Sequence, residues 1–179
     1  HVVGHDTGGA VALILGIEHP AVVERLVISN AVCYDRFDDD MLDFGHPLRW
    51  KSKPVSALLD ALDESLAMGL SDQQRLTVAF AEGIKAPWSD EEGKLSLLRN
   101  ASALNANQTM ALVDRHHTVT APTLMLWGED DPWQKVTDGQ QLASEIPGAR
   151  FQLIQGASHW VQQDAPERFS QALLDFLAE

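Results

Sequence analysis

An aspartate stands at the apex of a glycine-rich turn at the start of the chain. Residues 1–9 read His-Val-Val-Gly-His-Asp-Thr-Gly-Gly, so Asp6 follows a short apolar stretch and precedes a helix-like run. A strand, a sharp turn and a helix with one reactive side chain at the apex present that side chain as a nucleophile. The apex residue of such a turn has a strained backbone, and we expect a Cβ at Gly4 or Gly8 to collide across it.

A glycine-rich turn after a strand has other uses, and some turns of this kind bind phosphate at a helix N-terminus. The chain contains no Gly-x-Gly-x-x-Gly pattern and no P-loop lysine, so a nucleotide site is not predicted here. A carboxylate nucleophile needs a base for the water proton, an acid that orients the base, and hydrogen-bond donors for the oxyanion.

The apex turn resembles the nucleophile elbow of α/β-hydrolase-fold enzymes, in the branch that uses an aspartate nucleophile. The pattern Gly4-x-Asp6-x-Gly8-Gly9 carries the resemblance. This branch includes epoxide hydrolases, haloalkane dehalogenases and haloacetate dehalogenases. The resemblance implies an α/β protein with a partial α/β-hydrolase fold, made of the last four strands of a mostly parallel sheet with an inserted helical cap.

Two later segments are similar to the acid and histidine loops of that family. Gly128-Glu-Asp-Asp131 follows an apolar run, and Gly156-Ala-Ser-His159-Trp160 follows an alternating one. The resemblance implies that Asp131 is the acid and His159 the base. The chain order of nucleophile, acid and histidine is also that of the family.

The identity of the acid is open among neighbouring residues. Asp130 and Glu129 are close rivals of Asp131 in the same loop. Some haloalkane dehalogenases take their acid from the end of the preceding strand. That position here is Asn30, which cannot serve as an acid.

The oxyanion donors are expected from two parts of the fold. Thr7 follows the nucleophile, so its backbone N–H is the expected first donor. In the family the second donor comes from a loop before the elbow, and this loop is absent here. Because Val2 and Val3 predict a central strand, we expect the chain to be the C-terminal part of a longer protein. The missing N-terminal half would then be its partner, and the chain alone would be inactive.

Apolar spacing divides the chain into three segments. Residues 1–35 predict the elbow strand, a helix over 10–19 and a buried strand over 25–30 as the first part of the core. Residues 121–179 predict the second part, with strands over 122–127 and 150–155 and helices over 136–146 and from Pro166. Residues 36–120 have helical spacing and are predicted to be the cap.

Several residues predict where the cap helices begin. Ser52 with Pro54, Ser71, and Ser89 with Glu92 suit helix N-termini. A longer pattern over 95–113 predicts one or two further helices.

The leaving group is only weakly determined by the residues. Tyr34 is the one tyrosine, so the pair of cap tyrosines typical of epoxide hydrolases is impossible. Thr7 stands where haloalkane dehalogenases usually have Trp and haloacetate dehalogenases commonly have Arg. The candidate substrate-binding residues, each of which packing would also explain, are Trp50, Trp88, Asn107 and Trp160.

These observations predict a hydrolase that forms a covalent ester between Asp6 and a small apolar electrophile, an alkyl halide or an epoxide. His159 would then activate the water that hydrolyses the ester. One alternative is a non-catalytic scaffold that binds a ligand or partner. Another is an esterase or lyase that uses Asp6 as a base.

Composition narrows the partners and the compartment. The 179 residues carry a formal net charge of −13, which disfavours nucleic acid and anionic membrane surfaces as partners. No apolar run approaches the ~18 residues of a membrane-spanning helix. A single cysteine excludes an internal disulfide and suits a reducing compartment, so a cytoplasmic location is expected. We expect a small-molecule substrate, no cofactor and no metal.

Overall fold

The computed structural model describes residues 1–37 and 39–179, and of residue 40 it describes the backbone only. Four strands form one sheet: β1 (Val2–Asp6), β2 (Leu26–Ala31), β3 (Thr123–Gly128) and β4 (Arg150–Ile154). Their order in the sheet is β1-β2-β3-β4, and each neighbouring pair is parallel. The predicted α/β class with four parallel strands is confirmed.

The helices differ widely in length. In chain order they are α1 (Thr7–Glu18), α2 (Asp39–Phe44), α3 (Pro47–Trp50), α4 (Val55–Met68), α5 (Val78–Lys85), α6 (Glu91–Ser102), α7 (Asn107–Met110), α8 (Val136–Glu145), α9 (Val161–Asp164) and α10 (Pro166–Ala178). Short 3-10 turns lie at Pro20–Val22, Gln73–Arg75, Ala86–Trp88 and Val113–Thr118.

Both faces of the sheet are covered, which explains why β2 and β3 are buried along their whole length. Alternate side chains of a strand point to opposite faces. Ile28 of β2 therefore packs with Leu13 of α1 and Leu142 of α8 in one apolar cluster. Val27 packs with Phe176 of α10 in the cluster on the other face.

The chain divides into a sheet unit (His1–Arg36 with Ala106–Glu179) and a helical unit (Phe37–Asn105). The helical unit ends earlier than the predicted cap boundary at residue 120. The reason is that residues 106–120 pack with the sheet unit. The Thr109 hydroxyl donates to the Tyr34 carbonyl at 2.6 Å, and Leu112 joins the apolar cluster of α1 and α8.

The predicted helix starts in the helical unit are wrong by a few residues, and for α5 and α6 the reason is that other polar groups make the caps. Thr77 Oγ1 accepts from the Phe80 N–H at 3.2 Å and begins α5. Asp90 caps α6, whereas the Ser89 hydroxyl donates to a carbonyl. Ser71 starts no helix, since the following 3-10 turn is capped by Asp72, and α4 begins after Pro54 rather than Ser52.

Candidate active site

Asp6 lies at the junction of β1 and α1 in a strained backbone conformation. Its φ of 52° and ψ of −125° lie in a region that residues other than glycine rarely adopt. The pairing of β1 with β2 also shifts register between His5 and Asp6. Strain of this kind costs about 1–3 kcal/mol and is concentrated at functional sites. The strained residue is thus the one that the sequence predicts to be the nucleophile.

Close backbone approach explains two of the glycines around this apex. A Cβ at Gly4 would lie 2.3 Å from the Gly8 carbonyl oxygen, and one at Gly9 would lie 2.2 Å from the Ala31 Cβ. The prediction for Gly8 itself is wrong, because a Cβ there would point into open space. Gly8 is exposed on the first turn of α1, and only its carbonyl faces Gly4.

Thr7 begins α1 and contacts the apex carboxylate through its side chain. The Thr7 hydroxyl donates to Asp6 Oδ2 at 3.1 Å. Among the described residues, the Asp6 carboxylate does not cap the α1 amides. The first N–H groups of a helix lack partners within the helix. The positive end of α1 and the Thr7 backbone N–H therefore lie beside the apex, where negative charge would be stabilised.

His159 and Asp131 are brought together at the carboxyl edge of the sheet, in the loops after β4 and β3. His159 Nδ1 lies 3.0 Å from Asp131 Oδ2, and the two side chains are 5% and 0% exposed. Between the rival acids the geometry favours Asp131. Asp130 is exposed, and its backbone pairs with the histidine loop, since its carbonyl accepts from the Ser158 hydroxyl at 3.1 Å.

The Asp131 carboxylate has all its acceptor positions filled. Oδ1 accepts from the backbone N–H groups of Trp133 at 2.8 Å and Gln134 at 2.9 Å. Oδ2 accepts from His159 and from the Asn30 side-chain amide, the latter at 2.6 Å. A carboxylate with four donors has no place for a proton of its own. His159 therefore donates to Asp131 from Nδ1, and Nε2 is the nitrogen left to act as the base.

The charge of this carboxylate follows from the same contacts. Burial by itself would raise the pKa of Asp131, but the hydrogen bond and charge of His159 and the Gln134 amide outweigh it. The Asn30 amide adds to this effect. The pKa of Asp131 consequently lies below its ordinary value, so Asp131 stays ionised and can stabilise an imidazolium at His159.

Asn30 contacts the acid loop, although the sequence only indicated that it cannot serve as an acid. It is fully buried at the end of β2, with a φ of 40°. Its amide donates to Asp131, and its carbonyl oxygen Oδ1 accepts from the Gly128 N–H at 2.9 Å. Asn30 thus fixes the start of the acid loop and one oxygen of the acid. The sequence feature that could have indicated this role is the polar pair Ser29-Asn30 near the end of a buried apolar strand. Binding sites of parallel sheets lie at the carboxyl ends of their strands.

Aromatic rings surround His159. The Trp133 ring centroid lies 4.8 Å and the Trp160 centroid 5.2 Å from the imidazole, both edge-on. Trp160, a predicted substrate-binding residue, therefore lies beside the base. His5 also contacts this ring, at 4.6 Å, although its role was not foreseen from the sequence.

Of the other predicted substrate-binding residues, Trp50 and Trp88 belong to the helical unit and Asn107 to the sheet unit. Trp50 is buried in the helical unit, packs on Phe44, and its indole N–H donates to the Asp43 carbonyl at 3.1 Å. Trp88 packs against the apolar cluster of the helical unit that contains Phe44 and Trp50. Asn107 begins the short helix α7 and is exposed.

The single tyrosine is engaged elsewhere in the sheet unit. The Tyr34 hydroxyl donates to Glu145 Oε2 at 2.9 Å, and His116 Nδ1 lies 2.6 Å from the same oxygen. Burial and the hydrogen bond to Glu145 raise the pKa of Tyr34 far above its ordinary value. Tyr34 therefore holds its proton firmly.

Within residues 1–37 and 39–179, no three His, Cys, Asp or Glu side chains converge as a metal site would require. Among the described helices, none has the length and apolar composition needed to cross a bilayer.

The chain is similar to several known proteins. The model of the alpha/beta hydrolase family matches residues 1–172. Human epoxide hydrolase 4 is 27% identical over 194 positions, which cover 99% of this chain and 53% of that protein. A 2-hydroxy-6-oxononadienedioate/2-hydroxy-6-oxononatrienedioate hydrolase of Dechloromonas aromatica is 23% identical over 188 positions, covering 99% and 61%.

A crystal structure of an alpha/beta hydrolase fold protein from Burkholderia ambifaria superposes with a TM-score of 0.87 at 24% identity, covering 97% of this chain and 64% of that one. The chain belongs to the alpha/beta hydrolase family. It spans between about half and two thirds of the length of these relatives.

Proposed function

We propose that the whole protein is a hydrolase in which Asp6 is the nucleophile and His159, oriented by Asp131, is the base for water. The observation that carries the proposal is the strained backbone of Asp6 at the strand–helix junction. The strained turn holds the carboxylate of Asp6 at the same sheet edge as the imidazole of His159. The relatives named as hydrolases support the same class of reaction.

The first step is displacement at carbon by the Asp6 carboxylate. Because the Thr7 hydroxyl occupies Oδ2, Oδ1 is the oxygen with its lone pairs free for attack. A bond forms between Oδ1 and the substrate carbon while the bond from that carbon to halogen or epoxide oxygen breaks. The leaving atom keeps the electron pair, and the product is an ester of Asp6.

The second step is hydrolysis of that ester. His159 Nε2 takes a proton from water as the water oxygen attacks the Asp6 carboxyl carbon. Negative charge then develops on Oδ2, next to the Thr7 hydroxyl and the N-terminus of α1. The intermediate collapses by breaking its bond to Oδ1, and the alcohol leaves with the proton from His159.

Donors outside this chain would complete the oxyanion site. Thr7 supplies donors on one side of Oδ2. Since the relatives are longer than this chain, we assign a second donor, and the partner strands of β1, to the remainder of the whole protein. Loss of one such donor slows acyl chemistry by about 10²–10³-fold, so the chain alone would be nearly inactive.

The substrate class is a small apolar electrophile, either an alkyl halide or an epoxide. Three relatives are named epoxide hydrolases, which favours the epoxide. The engagement of Tyr34 with Glu145 favours the halide, because an opening epoxide needs a proton donor and a departing halide does not. The roles of Trp50, Trp88, Asn107 and Trp160 in substrate binding remain predictions.

The experiment is trapping of the covalent ester in the full-length protein. His159→Asn removes the base but not the nucleophile, so incubation with 1,2-dibromoethane or styrene oxide should leave a stable mass adduct on the peptide that contains Asp6. Halide release and diol formation, measured in the wild-type protein, separate the two leaving groups. The matched control is His117→Asn, which makes the same change at an exposed position.

Adduct in His159→Asn but not in His159→Asn/Asp6→Asn supports the mechanism. If neither probe labels the protein, Asp6 is not a nucleophile toward saturated carbon. Ester hydrolysis by the wild-type protein would then indicate Asp6 as a base. Ligand binding without turnover would indicate a non-catalytic scaffold.

A further inference from the structure

His5 directly precedes the proposed nucleophile, and its side chain reaches the proposed base. His5 Nε2 lies 2.9 Å from the carbonyl oxygen of His159, across 154 positions of chain. A carbonyl only accepts hydrogen bonds, so His5 carries a proton on Nε2. This hydrogen bond ties the nucleophile strand β1 to the loop that carries the imidazole.

Other hydrogen bonds join the loop around His159 to elements other than β1. The Ser158 N–H donates to Asp164 Oδ2 at 2.8 Å, and the Ser158 hydroxyl donates to the Asp130 carbonyl. These contacts join the histidine loop to α9 and to the acid loop. The hydrogen bond from His5 joins this loop to β1, and the same carbonyl oxygen also accepts from the Val161 N–H at 2.8 Å.

The His5 ring also touches the rings of the base and its neighbour. Its centroid lies 4.6 Å from that of His159, with the planes inclined at 56°. It lies 5.4 Å from that of Trp160. His5 therefore contacts the ring of His159 and also hydrogen-bonds to its backbone carbonyl.

Burial keeps His5 neutral at pH 7. Burial lowers the pKa of His5 to about 4, and repulsion from His159 contributes in the same direction. The hydrogen bond to the His159 carbonyl and the carboxylates of Asp6 and Asp131 oppose this shift without cancelling it. A neutral His5 leaves the second imidazole free to take the water proton.

We propose that His5 is a positioning residue: by donating to the His159 carbonyl and packing on its ring, it holds the imidazole in register with Asp6 for the second chemical step. The proposal rests on the proposed role of His159 as the base. It assigns no direct contact with substrate to His5. Because His159 acts only on the ester, His5 should matter for ester hydrolysis and not for ester formation.

The kinetic test uses two substitutions in the full-length protein. His5→Phe keeps a flat ring but has no donor, whereas His5→Gln keeps a side-chain N–H that can reach the same carbonyl. With styrene oxide or 1,2-dibromoethane as probe, His5→Phe should form the Asp6 ester at a rate within about 3-fold of wild type. Its hydrolysis of the ester should be about 10- to 100-fold slower, the cost of a misplaced general base. His5→Gln should recover most of that loss, and His117→Phe is the matched surface control.

A spectroscopic test does not depend on catalysis. In protein with ¹⁵N-labelled histidine, the proton that His159 donates to Asp131 should give a downfield Nδ1–H signal. This signal should persist in His5→Gln and be lost or broadened in His5→Phe.

Each outcome decides the proposal. Equal slowing of both chemical steps, or an unchanged Nδ1–H signal together with unchanged ester hydrolysis in His5→Phe, overturns it. If His5→Phe fails to fold, loss of the signal in a folded His5→Gln overturns it as well, because the donor is then present without effect. Absence of ester in His159→Asn refutes the nucleophile instead, and the Nδ1–H signal still reports on His5.

Discussion

Replacement of Asn30 perturbs the acid without touching the base or the nucleophile. Asn30 is fully buried, and besides a 3.4 Å contact from the Ser29 hydroxyl its side chain makes two hydrogen bonds to the acid loop, one as donor and one as acceptor. Its amide donates to Asp131, and its side-chain oxygen accepts from the Gly128 N–H. Asn30→Ala removes both bonds, whereas Asn30→Asp keeps the acceptor and replaces the donor with a second carboxyl group.

The loss of unfolding free energy expected for Asn30→Ala follows from these contacts. A hydrogen bond to a charged group contributes about 1.5–3 kcal/mol, and a buried N–H left unpaired at Gly128 costs about 1–3 kcal/mol. Alanine also tolerates the φ of 40° less well than asparagine. Because nearby effects are not additive, we expect the sheet unit to lose about 3–5 kcal/mol of unfolding free energy.

Asn30→Asp has a distinct pH signature. The new carboxyl group faces Asp131 Oδ2 at the position of a 2.6 Å contact, so one of the two carboxyl groups must be protonated when folded. The folded pKa of that group is raised above its unfolded value. The resulting loss of stability is therefore complete only above this raised folded pKa, and it shrinks as the pH falls from there toward the unfolded value of about 4, so the loss should be larger at pH 7 than at pH 5.

Urea unfolding of the full-length variants at pH 7 and pH 5 measures both effects. Asn100→Ala, an exposed asparagine on α6, is the matched control and should change the unfolding free energy by less than about 0.5 kcal/mol. Wild-type stability of Asn30→Asp at pH 7 would refute the inference that Asn30 donates to Asp131. Loss of stability without any pH dependence would show that packing, and not charge, is the reason for asparagine at this position.

Two further predictions concern the elbow strand. Gly4→Ala should abolish folding or cost more than about 3 kcal/mol of unfolding free energy, because its Cβ would lie 2.3 Å from a backbone carbonyl oxygen. Gly8→Ala, which meets no neighbouring atom, should cost less than about 1 kcal/mol. Circular dichroism and urea unfolding compare the two variants, and equal losses would contradict the close approach at Gly4. The pKa of His5 is lowered to about 4 in the folded state, so the unfolded state binds more protons between about pH 6.5 and 4. Stability should therefore fall as the pH drops through this window. His5→Gln should remove part of that fall and His117→Gln should not; equal pH profiles for the two variants would contradict a neutral, buried His5.

Local sequence determined the elements of the sheet unit and the chain order of the candidate site. The apolar runs that become β2 and β3 are buried on both faces, so they stand in the sequence as short continuous apolar segments. The glycine pattern around Asp6 marks a backbone that only a tight turn requires. The family resemblance then placed Asp131 and His159 in the two loops where the structure has them.

Caps and boundaries were less predictable because several polar residues compete within a few positions. Ser89 and Asp90 can both cap a helix, and which one does so depends on the turn before it. The segment after residue 105 has helical spacing like the segment before it. Only packing against Tyr34 and the core of the sheet unit assigns it there.

Tertiary structure alone decided how the site is supported. The contacts of Asn30 with Asp131 and of His5 with His159 span about 100 and about 150 positions of the chain. No periodicity in a sequence encodes such contacts, because they arise only when parallel strands bring their carboxyl ends to one edge. The chain by itself fixes which side chains can do chemistry here, whereas the choice of Asp131 over Asp130, and the proton on Nδ1 of His159, follow from which donors surround each atom in the folded sheet.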